Sequence, residues 1–220
     1  MNRILSWFCK IFIKPIVDRF LIKEVRGWEN FPKENFILAV NHQSHLDQIT
    51  TSYVCVPRRF HHIGQTDQYS GGIKLFLYLI YFFGGVIPVN RKSEESRKRA
   101  LREAIKVLKK GDILVIYPEG TRTKTGQIQK AFPGIAKLHL LTGVPILPVG
   151  IKGTFELMPP GKRFPKIKRV VKINIGKPLL FKEEIEEAKN FDCQSPEHKK
   201  IAAEIAEKAM KEISNLYSEI

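Results

Sequence analysis

The sequence predicts an α/β protein: a mixed β-sheet flanked by helices, preceded by an N-terminal amphipathic helical membrane-binding segment. Two patterns carry this prediction. Short β-type runs alternate with helical periodicities along most of the chain, and the first twenty residues are apolar but interrupted by charges at helical spacing. With 220 residues, 43% of them hydrophobic and 27% charged, the chain can bury one substantial core and has no room for two large domains. The expected division is 1–21 for membrane-associating helices and 22–220 for one domain ending in a C-terminal helix.

In residues 4–22, Arg3, Lys10, Lys14 and Asp18 form a narrow polar stripe beside a wide apolar side carrying Trp7, Phe8, Phe12 and Phe20. The longest uncharged run there is Ile4 to Cys9. A transmembrane helix needs about 20 mostly apolar residues, and a signal peptide needs an unbroken apolar region with a cleavage site, so neither fits. The segment reads as an interfacial helix or as a helix packed on the core, with Pro15 either breaking it or starting a second helix.

The strand runs follow: FILAV (36–40), RFHHI (59–63), GVIPV (85–89), ILVIY (113–117), ILPVGI (146–151) and VVKINI (170–175). A helix over 73–83 has almost no polar face and spans about 16 Å, too short to cross a bilayer. It suits burial or the wall of an acyl-chain groove. Over 93–110, Leu101, Ala104, Ile105 and Leu108 recur at helical spacing, with Ser93 as N-cap and Gly111 as stop. A last helix opens at Ser195-Pro196-Glu197 and runs through Ile201, Ile205, Ala209 and Ile213.

The 37 Lys and Arg against 22 Asp and Glu leave a net charge of +15. Nucleic acid or an anionic membrane would both answer such a surplus. Arg91, Lys92, Arg97, Lys98, Arg99 and Arg102 are accompanied by Glu94, Glu95 and Glu103 and lack interleaved aromatics. With the basic stretch 162–172, they favour a solvated helix face or anionic-lipid contact over nucleic acid. Cys9, Cys55 and Cys193 are odd in number and far apart, which fits neither a disulfide framework nor a zinc site and suits a reducing cytoplasm.

FILAV runs directly into Asn41-His42-Gln43-Ser44-His45-Leu46-Asp47. On one continuous helix His42 and Asp47 would lie about 140° apart, so they meet only if His42 precedes the helix. Ser44 as N-cap supplies that break and places Asp47 at N3, returning its carboxylate toward the loop that carries His42. The plainer alternative is that Asp47 caps a helix and His42 sits in a loop. A metal reading of His42, His45 and Asp47 lacks a further ligand cluster, since His61 and His62 are adjacent on a strand and face opposite sides. No GxSxG elbow or other serine or cysteine nucleophile motif occurs, which favours direct attack by an activated acceptor over an acyl-enzyme. After ILVIY stands Tyr117-Pro118-Glu119-Gly120-Thr121-Arg122, where glycine, hydroxyl and guanidinium can bind phosphate.

With these blocks in view the chain resembles the glycerolipid acyltransferase family, best known for 1-acylglycerol-3-phosphate acyltransferases. NHQSHLD is similar to that family's NHxxxxD block, GVIPVNR (85–91) to its second block, YPEGTR to its FPEGTR block and VPILPVGIKG (144–153) to its fourth, with GWENFP (27–32) as lead-in. The resemblance covers residues 22–181. It implies that His42 is the general base for an acceptor hydroxyl attacking an acyl thioester, with Asp47 orienting it. Arg91, Glu119, Gly120, Thr121 and Arg122 would hold the acceptor's glycerol phosphate. An imidazole, whose ordinary pKa is about 6.5, suits such base work.

The implied reaction carries an acyl group from an acyl-carrier-protein or coenzyme A thioester to the sn-2 hydroxyl of lysophosphatidate, without cofactor or metal. The alternatives are another lysophospholipid or lipid-linked hydroxyl as acceptor, or a basic nucleic-acid or membrane-surface binding protein. The implied location is peripheral or monotopic, on the cytoplasmic face of an anionic membrane, with no nucleic-acid partner. Three departures fall in the acceptor region: Asn90 where the family commonly has aspartate, Gly64-Gln65-Thr66-Asp67 for its AKxE stretch, and Phe132-Pro133-Gly134 for its KPG. The catalytic blocks match more fully than the acceptor pocket.

Overall fold

A computed structural model describes residues 3–65, 84–162 and 164–220. The helix expected over 73–83 lies outside them. The described strands are β1 (Ile22–Arg26), β2 (Ile37–Val40), β3 (Phe60–Gln65), β4 (Val86–Val89), β5 (Ile113–Ile116), β6 (Ile146–Lys152) and β7 (Val171–Ile175). They form one sheet in the order β1-β7-β6-β2-β5-β3-β4. From β6 to β4 the pairing is parallel; β7 is antiparallel to β6, and β1 parallel to β7. The sheet is mixed, as the sequence predicts.

β2 and β5 are apolar without alternation because both of their faces are covered. Leu38, Val40, Val115 and Leu147 face a layer built with the helix Asp47–Cys55 and the N-terminal segment. Ile37, Ala39, Leu114 and Ile146 face the helices Glu94–Lys109, Gly134–Thr142 and Pro196–Ser218. Ser93 and Ser195 cap two of these helices as expected, accepting from the amides of Ser96 and His198. The last helix packs so closely on β6 that a Cβ at Gly150 would stand 2.6 Å from the Tyr217 nitrogen. Among the elements without an expectation from sequence are β1, the helix Gly134–Thr142 and the helix Lys182–Ala188, besides the short turns of helix Trp28–Asn30 and Thr154–Leu157. β1 lies partly under the apolar reading of 4–22, since the helical run ends at Phe20 and Ile22 already pairs with Val171.

The N-terminal segment is helical over Arg3–Phe8 and Lys14–Phe20, joined by a π-helical turn over Cys9–Ile13. Pro15 sits in the first turn of the second helix, directly after the π-helical turn, and the chain stays helical through it, so it does not end the helix. The orientation inverts the usual amphipathic rule. Lys14 stands over the Trp28 and Tyr53 rings at 5.0 and 4.6 Å, and Asp18 accepts from the Tyr53 hydroxyl at 2.8 Å. Lys14 and Asp18 of the polar stripe thus face the body along with buried Ser6 and Val17, while Ile4, Trp7, Phe8, Ile11, Phe12, Ile16 and Phe20 are at least 45% exposed. An apolar surface this extended marks an interaction site. No described helix is long and apolar enough to cross a membrane.

Candidate active site

The two sequence blocks leave the same ends of adjacent parallel strands, β2 and β5, the position at which open α/β sheets place their sites. Asn41 fixes the first exit: its side-chain amide donates to the Ile151 carbonyl at 2.8 Å and its oxygen accepts from the Ile151 amide at 2.7 Å. The next residue is held on both sides by the other block. The His42 amide donates to Glu119 Oε1 at 2.7 Å, and the His42 carbonyl accepts from the Thr123 amide at 3.0 Å.

His42 and Asp47 meet, with Nδ1 and Oδ2 2.8 Å apart. The same Oδ2 accepts from the Gln43 and Ser44 amides at 2.6 and 2.7 Å. Main-chain N–H groups can only donate, so Oδ2 is an acceptor and Nδ1 carries the proton, which leaves Nε2 as the basic ring nitrogen. The regular helix begins at Asp47 with Leu46 in the N-cap position, two residues later than a Ser44 cap would give. Residues 44–46 close a tighter turn first, with Asp47 N bonded to Ser44 O at 3.3 Å. The reciprocal contacts survive in that turn, because Ser44 Oγ accepts from the Leu46 amide while its own amide reaches Asp47. Asp47 is 1% exposed and the His42 side chain 14%, so water reaches the base but hardly its partner.

Tyr117 stacks on His42 with centroids 4.0 Å apart and planes 14° from parallel. Its hydroxyl bonds Thr51 Oγ1 at 3.2 Å, and Thr51 donates to the Asp47 carbonyl at 2.8 Å, so the imidazole's stacking partner and its carboxylate partner are tied to one helix turn. Tyr117 was legible as part of its block; this link was not.

His42 opens into a cavity of about 510 Å³ whose wall includes Arg91, Gly120, Thr121 and Arg122. Four of the five residues expected to hold acceptor phosphate thus share a wall with the base. Glu119 does not. It is 2% exposed, and beyond the His42 amide it accepts from the Gln129 amide and side chain through Oε2 at 2.9 and 3.2 Å. Its acceptors are turned inward because they satisfy main-chain donors of two loops, so Glu119 positions His42 instead of lining the cavity. Burial pushes its carboxyl above the usual range, against the pull of these bonds. Gly120 has φ 68°, a left-handed conformation that favours glycine, and a Cβ there would press on the Phe132 ring at 3.0 Å.

The cavity also contains residues the sequence reading did not assign. Arg97 and Lys124 line it, making four cations with Arg91 and Arg122. Arg97 is exposed on its helix, as a solvated face or anionic-lipid contact would have it, and also reaches back to donate to the Arg91 carbonyl at 2.8 Å. The available signals were its one-turn position in the helix following GVIPVNR and, for Lys124, its place two residues beyond Arg122. His45 also lines the wall, its pKa lowered first by burial and then by Arg122 and His42.

A second cavity of about 290 Å³ is apolar, lined by Ile13, Val17, Val56, Phe60, His62 and Val86 among others, and shares Gln48 with the first. Among the described residues neither His62 ring nitrogen has a hydrogen-bond partner, and burial lowers its pKa to about 3. His61 faces the other way, to Asp112 at 3.2 Å. Among the described residues no three His, Cys, Asp or Glu side chains come together as a metal site requires.

A family model described as Acyltransferase matches residues 23–152. The chain is 26% identical over 179 residues to the chloroplastic 1-acyl-sn-glycerol-3-phosphate acyltransferase BAT2 of Brassica napus, covering 79% of this chain and 49% of that one. It is 29% identical over 174 residues to a 1-acyl-sn-glycerol-3-phosphate acyltransferase of Bacillus subtilis, covering 78% and 81%. The chain spans about half the length of several curated relatives it matches, the Brassica protein among them. The crystal structure of the 1-acyl-sn-glycerophosphate (LPA) acyltransferase PlsC from Thermotoga maritima aligns with a TM-score of 0.61 at 25% identity, over 94% of this chain and 82% of that one.

Proposed function

This chain belongs to the acyltransferase family, and we propose that it transfers a fatty acyl group from an acyl thioester to the sn-2 hydroxyl of lysophosphatidate, giving phosphatidate. The observation that carries this reading is His42, its Nδ1 held by Asp47 Oδ2 at 2.8 Å, in the wall of a cavity with four cationic side chains. The cations suit the acceptor's phosphate, which guanidinium groups bind through paired charge-assisted hydrogen bonds. With the phosphate held, the hydroxyl is presented to Nε2. His42 takes its proton as the oxygen attacks the thioester carbonyl carbon. The C–S bond then breaks and the leaving thiolate receives the proton from His42, so the products are an ester and a free thiol. No acyl-enzyme is needed, and base assistance of this kind is typically worth about 10² to 10⁴ in rate.

The neighbouring apolar cavity suits a hydrocarbon chain. The inverted N-terminal helices support peripheral attachment to a membrane, since their outward side is apolar and the body is basic. Acyl-carrier-protein and coenzyme A thioesters are both donors of the required chemistry. The test mixes the protein with detergent micelles of lysophosphatidate and acyl thioesters of each carrier, and follows thiol release together with diacyl product. Stoichiometric thiol and phosphatidate support the reading and identify the donor. Thiol release without diacyl product, or transfer only to an acceptor lacking phosphate, overturns it.

A further inference from the structure

The loop from Pro159 to Arg169, which leads into β7, combines two features that no part of the active site uses. Phe164 and Ile167 are 76% and 75% exposed, more than any apolar side chain of the N-terminal helices except Ile4. Lys162, Lys166, Lys168 and Arg169 surround them, and no Asp or Glu occurs between Glu156 and Glu183. The loop is nonetheless rooted. Ser44 Oγ donates to the Met158 carbonyl at 2.7 Å, the Lys166 amide to the Leu157 carbonyl at 2.9 Å, and Arg169 Nε to the Ile22 carbonyl at 2.6 Å. At its near end Pro160 lines the His42 cavity. Its far end, through Arg169, is fastened two residues beyond the last turn of the exposed N-terminal helices. It therefore bridges the site and the root of the apolar helical surface.

We propose that this loop is a second contact with an anionic bilayer, in which Phe164 and Ile167 enter the headgroup region while Lys162, Lys166 and Lys168 meet lipid phosphates. The proposal rests on the reading that the acceptor is a membrane lipid, and it adds how the cavity faces that membrane. Interfacial binding without a spanning helix scales with buried apolar area plus attraction to anionic lipid, and this loop adds to both. Apolar helices alone leave the body free to rotate about them, whereas a second contact in a loop that reaches the cavity wall at Pro160 limits that rotation. Aliphatic Ile167 beside the lysines suits acyl chains better than base stacking, which separates this surface from a nucleic-acid one.

The test uses the full chain and three variants: F164S/I167S, K166S/K168S and F164W. Co-sedimentation is measured with vesicles of equimolar phosphatidylglycerol and phosphatidylcholine, with phosphatidylcholine alone, and in parallel with duplex DNA. F164S/I167S is expected to bind the anionic vesicles about tenfold more weakly. K166S/K168S should lose about fivefold per lysine on anionic vesicles only. Fluorescence of F164W should be quenched by brominated lipid beyond the quenching of native Trp7 and Trp28. Turnover of a short-chain, monomeric lysophosphatidate should be unchanged in both multiple variants. Wild-type vesicle binding by F164S/I167S, no added quenching of F164W, or losses confined to DNA would each overturn the proposal. Absence of acyl transfer by the wild-type chain would instead count against the reading of the site, and the vesicle and quenching results would still stand or fall by themselves.

Discussion

His42 and His62 both neighbour Tyr117, at centroid distances of 4.0 and 6.3 Å, yet they are chemically opposite. His42 gives one nitrogen to a buried carboxylate and lines a cavity rich in cations. His62 has no partner for either nitrogen among the described residues, and burial holds it neutral with a pKa of about 3. The difference lies in the backbone around each. Residues 42–47 form a turn whose amides converge on Asp47 Oδ2, whereas His62 sits on a strand whose amides are spent on the sheet. A histidine becomes a base here through the polar groups a turn can aim, and strand geometry does not supply them.

The largest expected effect tests that contrast directly. His42→Ala should lower turnover by about 10² to 10⁴, while His62→Phe should leave it within a few-fold, each measured as thiol release by protein with an intact circular dichroism spectrum. Comparable losses in both would break the distinction. Asp47→Asn sharpens it: the amide can still accept from the turn but no longer stabilises an imidazolium, so kcat should fall tenfold or more at unchanged acceptor KM. Arg122→Ala should raise the acceptor's KM by roughly tenfold, as loss of a charge-assisted hydrogen bond does, with little change in the thioester's KM. Equal shifts in both would remove the phosphate-binding role.

Glu119→Gln probes positioning. One amide N–H must then face a main-chain donor, either at His42 or at Gln129, costing about 1–3 kcal/mol of stability and a several-fold loss in kcat, read from denaturant melts and initial rates. A further effect is pH-dependent and is read in stability, not in turnover. The folded-state pKa of His62 lies below its unfolded value of about 6.5, so the stability it contributes is full above that pH and is lost as pH falls toward about 3. Relative to His62→Phe, the wild type should lose up to about 1.4 kcal/mol per pH unit below pH 6, seen in urea unfolding. Parallel curves for the two proteins would mean that His62 is not the neutral buried group described.

Much of the fold was legible because its signals are local. The caps Ser93 and Ser195 and the unbroken apolar runs of β2 and β5 depend on spacing and on backbone groups within a few residues. β1 was not legible, because Ile22 to Arg26 becomes a strand only by pairing with Val171 to Asn174, nearly 150 residues away. The helix Gly134–Thr142 is buried along much of its length and so lacks a clear polar stripe. In the site, His42 and Asp47 could be paired from sequence, since the capping contacts that join them span five residues.

The sequence by itself determined the alternation of strand and helix, the His42–Asp47 unit and the charge surplus of the body, since each follows from residue type and short-range geometry. Only the tertiary structure decided what spans the sheet. It turned Glu119 from a cavity ligand into a brace for His42, brought Arg97 and Lys124 beside Arg91 and Arg122, and buried His62 against Tyr117. It also set the N-terminal helices with Lys14 and Asp18 against the body, because the partners of those side chains, Tyr53 for both and Trp28 for Lys14, lie on it. Which side of a helix meets water is fixed by what it packs against, and a periodicity read along one segment does not contain that surface.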